Sequence, residues 1–297
     1  MGTTIEENSK GTPDAAPERY WRTEISEIHP ERVTIRGYDL EQLIGMPFGA
    51  ATFLMIRGRI PTPGETKVMD ALLTGVLDYG LEKPGTAAAR YVVSSNPSMQ
   101  AGLAAATLAA GQFSLATEDA ATFISTQYQA YVAAGEPDMQ EFAQTVVEEA
   151  QRTKFRIPGF GHPVFRGEDP RAQRLRSIAV EAGLWGPAAQ LYEAIHTEFV
   201  KNPRRAHFPL NDIGVLAAMS VAMGFTPEES TALAIIGTLP GVAAHVTEEL
   251  RSRTAVRVIA ADAVDYEVPK RDLGSDLAAA GWSVTAGGDE KPAAVSW

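Results

Sequence analysis

The sequence predicts an all-α chain that opens on a short β-hairpin. Three observations carry this. Apolar residues recur at helical spacing through most of the chain, as at Val68, Leu72, Val76 and Tyr79. Helix-start chemistry recurs too: Asp169 stands before Pro170, and Thr226 stands before Pro227 with Glu229 three residues on. Strand-like alternation is confined to residues 23–28 and their return at 33–35.

At the start, residues 1–19 are polar and charged and are expected to be disordered, with no apolar signal core among the first 17. Residues 23–28 alternate as a half-buried strand, and His29 to Arg32 form the turn before the return strand. Asp39 is placed to cap a short helix. Residues 48–57 put Phe48, Ala51, Leu54 and Met55 on one helical face. Pro61 breaks the chain, and helices follow over 65–79 and 86–95. Residues 99–110 are nearly all Ala and Leu, so this helix is expected to be buried on all sides, packed in the core or across a dimer interface. Two more helices cover 120–132 and 139–152, divided by Gly135 to Asp138. Beyond a loop come helices over 170–182 and 187–200, the second carrying His196 on a solvated face. Arg204, Arg205 and His207 read as a basic linker, and apolar residues from Val215 to Met223 as the next helix. The helix that Thr226 caps continues through Gly241 to Leu250. Residues 262–297 hold no useful period and read as a tail.

Composition narrows the function. With 297 residues the chain makes one large or two modest domains. A net charge of −11 argues against nucleic acid and against an anionic membrane surface as partners. The absence of Cys excludes disulfides, thiolate metal sites and Cys nucleophiles. No apolar run reads as long enough to span a membrane, so a cytoplasmic protein is expected.

The chemistry gathers in residues 157–171. Pro158, Gly159 and Gly161 cannot continue a helix, so this is a loop, and it delivers His162, Arg166 and Arg171 beside backbone N–H groups that the glycines leave bare. Such a loop suits an anionic ligand with a proton transfer beside it.

The loop resembles the active-site loop of the citrate synthase superfamily, G-[FY]-G-H-x-V-x-[KR]-x-x-D-P-R, with His162, Val164, Arg166, Asp169, Pro170 and Arg171 in register. Arg36 to Leu43 resembles that family's R-G-Y-x-[IL]-E-x-L, and Gly241 to Glu248 its G-x-[IV]-[AG]-H-x-x-E. Asp212 is in register with the family's catalytic Asp, the alternative being a plain helix cap. The length and the opening from Tyr20 to Ile25 look like the short, citryl-CoA lyase-type members. Three departures stand out. Ser114 occupies the place of a catalytic His, with Leu115 and Ala116 replacing two glycines. Thr238 occupies the place of an oxo-acid-binding Arg, seven positions before His245. No His lies between His29 and His162, so the family's upstream oxo-acid His is also missing.

The resemblance implies a citrate synthase-like all-α fold: a large domain over 20–125 and 228–261, a small domain over 126–227 inserted in it, and the site in the cleft between them. It implies a homodimer, coenzyme A as the acyl carrier, a 2-oxo acid or citrate-like partner substrate, and no metal. Asp212 would exchange a proton with the acetyl carbon, His162 would serve the hydroxyl or carbonyl oxygen, and Arg171 would hold a carboxylate. Gly159, Phe160 and Gly161 would receive the adenine end of CoA, and Arg166 a CoA phosphate. Ser114 would donate to the thioester oxygen, directly or through water, and Arg257 would match the family Arg that reaches the partner subunit. Three readings follow: a citryl-CoA lyase-like enzyme, a condensing enzyme joining acetyl-CoA to a 2-oxo acid, and a CoA-binding subunit without turnover.

Overall fold

In the computed structural model, residues 21–282 are described. The segment 1–19 expected to be disordered lies outside them. Strands β1 (Ser26–His29), β2 (Arg32–Ile35) and β3 (Tyr38–Asp39) form an antiparallel sheet in the order β1-β2-β3. Arg36 and Gly37 both take positive φ between paired Ile35 and Tyr38, the two-residue turn whose twist suits a hairpin. β1 is exposed along its whole length, against the expected half-burial, while the central strand β2 carries the half-buried residues. The Arg36 guanidinium donates to the Met55 carbonyl at 3.0 and 2.8 Å and ties the sheet to the helical body.

Twelve helices follow among the described residues. The first five are α1 (Leu40–Leu43), α2 (Phe48–Arg57), α3 (Pro63–Gly75), α4 (Pro84–Ser95) and α5 (Met99–Ala109). Next come α6 (Thr117–Ala133), α7 (Met139–Thr153), α8 (Pro170–Glu181) and α9 (Pro187–Val200). The last are α10 (Asp212–Ala222), α11 (Pro227–Ser252) and α12 (Leu273–Ala279). Asp39 stands at the start of α1 but makes no side-chain cap bond. Thr62–Glu65 and Thr226–Glu229 form reciprocal capping boxes on α3 and α11.

Two expectations about burial are corrected. The inner face of α2 holds Ala50, Phe53 and Leu54, while Phe48 and Met55 are exposed. Helix α5 is not enclosed: Gly102 and Ala106 are buried against α4 and α11, but Leu108 is 87% exposed. Small residues made α5 look uniformly apolar, and only its close-packed stripe is covered.

The core is centred on α10, whose Val215 to Met219 are all buried between α6, α8, α9 and α11. The expected domain boundary at 125/126 lies inside α6, and that at 227/228 at the start of α11. Helix α11 has 26 residues and, by length and composition, could cross a membrane, against the reading that no run was long enough. It packs on α3, α4, α5 and α6 as a core helix does. Pro240 lies inside it, and the next N–H, of Gly241, leaves the helix ladder and donates to Leu77 O at 3.0 Å. A Cβ on Gly237 would stand 2.4 Å from Val76 Cγ2 and 3.1 Å from Leu73 O, and one on Gly241 2.2 Å from Leu77 O. These contacts press the end of α3 and the segment after it against α11, which sets the position of Tyr79.

By its internal contacts the chain divides into two units, Met1–Ala255 and Val256–Trp297. In the second, α12 forms within the expected tail, because Asp272 caps Ser275 N–H and Arg271 pairs with Asp276 at 2.8 Å.

Candidate active site

The loop between α7 and α8 is stapled to the start of α10. Gly161 N–H donates to Pro209 O at 2.8 Å, Asn211 N–H to Gly159 O at 3.0 Å, and Asn211 Nδ2 to Gly161 O at 2.8 Å. The N–H of Gly161 is therefore not bare. Gly159 takes φ +81°, and a Cβ there would stand 2.6 Å from Gly214 Cα, so this glycine is required by close approach to α10. The Phe160 ring turns inward and packs on Tyr192, His196 and Phe199. His196 is correspondingly not solvated: its Nε2 lies 2.9 Å from Phe208 O.

Beyond the staple the backbone wraps His162. Val164 N–H and Phe165 N–H both donate to its Nδ1 at 3.1 Å. With Nδ1 an acceptor, the neutral ring carries its proton on Nε2. That nitrogen lies 3.1 Å from Arg171 Nη2, a permanent donor. Two donors at this distance leave no room for an atom between them, but an oxygen to one side of the pair can accept from both. A substrate carbonyl or alkoxide oxygen beside His162 Nε2 and Arg171 Nη2 would thus meet two donors.

Arg171 is placed by α8. Asp169, 0% exposed, caps that helix at Arg171 N–H and also accepts from Arg171 Nε at 3.1 Å and Nη2 at 2.8 Å. Arg171 Nη1 lies 3.0 Å from Asp212 Oδ2. Asp212 is not the helix cap: Asn211 accepts from Gly214 N–H, and Asp212 is the first residue of α10, 2% exposed. Burial weakens the charge of Arg171, but Asp169 and Asp212 outweigh it and hold the guanidinium above its ordinary pKa. His162, Asp169 and Asp212 offer ligand atoms within 4.8 Å of one another, as a cation site would, and the guanidinium lies against all three.

Two groups that sequence reasoning missed complete the site. Tyr79 reads in the sequence as an apolar helix position, yet α3 stops at Gly75 and the buried Tyr79 hydroxyl faces Asp212. Burial, with Asp212 beside it, pushes its phenol well above the ordinary range, so it stays a donor. Lys83 places its ammonium 4.9 Å from the Tyr79 ring centroid, and Arg171 lies 5.9 Å from the same ring. Neither residue belongs to a motif; contact between distant segments reveals them.

The remaining candidates are less engaged. Ser114 Oγ donates to Ala109 O at 2.8 Å and accepts from Gly111 N–H, so its hydroxyl is committed to its own turn. Exposed Arg166 donates to His162 O at 2.6 Å. Arg257 belongs to the second unit. Ser114, Thr238, Tyr79 and Lys83 share the lining of a cavity of about 60 Å³.

His162 is held below the ordinary histidine value of 6.5, first by burial and then by Arg171, with Asp169 and Asp212 pulling the other way. A lowered pKa means that protonation needs a lower pH. A reaction using the neutral ring should keep its kcat/KM as pH falls through 6.5 and lose it only below. An acid limb at or above the ordinary value would contradict this.

The family description "Citrate synthase, C-terminal domain" matches residues 47–259. The fold superposes on a citryl-CoA lyase from Hydrogenobacter thermophilus with TM-score 0.78 and 33% identity, over 88% of this chain and 100% of that one. An ATP citrate lyase from Methanothrix soehngenii, solved with citrate and coenzyme A, gives TM-score 0.70 at 20% identity, over 86% of this chain and 43% of its own. A citrate synthase from Pyrobaculum aerophilum gives TM-score 0.50 at 17% identity, over 92% and 100%. The last two are likenesses of fold.

Proposed function

The chain belongs to the citrate synthase family, and we propose that it acts as a citryl-CoA lyase-like enzyme, splitting a citryl-CoA-type thioester into acetyl-CoA and oxaloacetate or another 2-oxo acid. One observation carries this: the meeting of His162 from the loop, Arg171 from the first turn of α8 and the buried Asp212 from the first turn of α10. A CoA-binding subunit without turnover would have no use for it.

Cleavage moves one proton from the substrate hydroxyl to the acetyl carbon while the bond between the two carbons breaks. His162 Nε2 exchanges the proton of the oxygen, giving it in condensation and taking it in cleavage. With Nδ1 an acceptor, the ring that lacks this proton, formed in condensation and consumed in cleavage, is an imidazolate anion, and the two backbone donors on Nδ1 and the guanidinium beside Nε2 stabilise its negative charge. An incoming carboxylate draws Arg171 away from Asp212. Asp212, buried in the first turn of α10 and freed of that ion pair, is then placed to deliver a proton to the enolate carbon. No metal is assigned, because Arg171 supplies the positive charge among the three ligand-type groups.

For CoA, we assign the N–H groups of Gly159 and Phe160, which make no backbone hydrogen bond among the described residues, and the exposed guanidinium of Arg166. Gly161 serves the staple instead. Ser114 can reach a thioester oxygen only by giving up its bond to Ala109. Arg257 is kept for the partner subunit's site on the resemblance. A cytoplasmic homodimer fits the acidic chain and its exposed apolar groups. Leu108 of α5 and Phe113 in the turn after it are almost wholly exposed and suit a second copy. Leu108→Asp should shift the protein from dimer to monomer in light scattering at micromolar concentration; a wild-type monomer would contradict the pairing.

The test of function is release of acetyl-CoA and oxaloacetate from citryl-CoA by the purified chain, with His162→Ala lowering the rate at least about 100-fold. Failure to release acetyl-CoA, or release untouched by that substitution, would overturn the assignment.

A further inference from the structure

Arg171 is a poor sole receptor for a substrate with several carboxylates. Two buried carboxylates, Asp169 and Asp212, already face its single guanidinium, so the cluster is acidic before any ligand arrives. A second cation is needed to offset that field. Position 238, seven residues before His245, offers only a threonine, whose hydroxyl donates to Ile235 O at 2.8 Å.

We propose that Lys83 binds the second carboxylate of the substrate, the one Arg171 does not hold, and thereby sets the preference for a dicarboxylic over a monocarboxylic oxo acid. The surroundings of Lys83 support it. Lys83 is half-buried at the N-terminus of α4, and no carboxylate among the described residues pairs with it. Asp78, the nearest acidic residue lining the same cavity, is turned to His245 Nε2 at 3.3 Å. The ammonium lies over the Tyr79 ring, whose other cation is Arg171, so the two positive groups flank one aromatic wall. The cavity of about 60 Å³ between Lys83, Tyr79, Ser114 and Thr238 has room for a carboxylate group. The Tyr79 hydroxyl, which faces Asp212, belongs to a residue lining the same cavity. A lysine presents a compact charge on a flexible stem, and so tolerates a carboxylate reached at an angle an arginine fork would not fit.

The inference rests on the citryl-CoA reading and deepens it. It is tested by calorimetric titration of oxaloacetate and of pyruvate, which lacks the second carboxylate, into the wild type, Lys83→Gln and Lys83→Arg. The wild type should prefer oxaloacetate. Lys83→Gln should weaken oxaloacetate by roughly 10- to 100-fold, the range for loss of a charged hydrogen bond, and leave pyruvate little changed. Lys83→Arg should recover part of the preference. Equal loss for both acids would mark a structural role, and an unchanged preference would overturn the proposal; either could occur in an enzyme that still cleaves citryl-CoA. A wild type that neither cleaves citryl-CoA nor binds oxaloacetate would remove the functional reading and this inference with it.

Discussion

Asp212→Asn should lower acetyl-CoA release by about 10²- to 10⁴-fold, the range for removing a positioned general acid or base. The amide fills the same space but cannot carry a proton to the enolate carbon. Arg171 keeps Asp169, through bonds to both Nε and Nη2, so the loop and α8 stay in place. The loss should therefore fall on kcat, with the KM for thioester little changed. Steady-state kinetics decide this, and a variant keeping more than a tenth of the wild-type kcat would remove Asp212 from the chemistry.

Asp169→Ala should be the most damaging substitution to stability. It removes the cap of α8, worth about 1 kcal/mol. It also strips Arg171 of a fully buried partner. Orphaning a buried charge costs about 3–5 kcal/mol, and here the lower end applies, because Arg171 keeps Asp212 and is partly solvated. A drop of about 3–4 kcal/mol in urea unfolding follows, at unchanged m. Activity should fall as well, because a guanidinium held by Asp212 alone no longer faces His162 Nε2. Asp169→Asn, which keeps the cap, should recover about 1 kcal/mol. A loss under about 1 kcal/mol for the Ala variant would show that Asp169 does not hold Arg171.

Much of this was legible in the sequence because it is local. Capping boxes, prolines at helix starts and glycine breaks mark most of the helices from α2 to α11, although the helix expected over 65–79 overran α3, which ends at Gly75. His162, Arg171 and Asp212 were legible as residues in register with a pattern, and the structure brings them together. Long-range contact was not legible. The N–H of Gly161 looked free because nothing nearby in sequence competes for it, yet Pro209 takes it from 48 positions away. Tyr79 looked like one more core residue until Pro240 and the glycines of α11 pressed its segment toward Asp212. Lys83 carries no pattern, and its meaning lies in having no carboxylate among the described residues where the neighbouring arginine has two. The open face of α5 was misjudged because alanine suits both a buried helix and one with a bare side.

The central claim is that the hydroxyl side of the substrate loses a proton while Asp212 adds one to the acetyl carbon as the carbons part. Mass spectrometry of the products formed from citryl-CoA in D₂O, with early quenching, tests it directly. Acetyl-CoA carrying one deuterium in its methyl group, formed together with oxaloacetate and suppressed in Asp212→Asn, is the predicted result. Formation of free CoA and citrate, which is thioester hydrolysis, or of acetyl-CoA without deuterium, would contradict it.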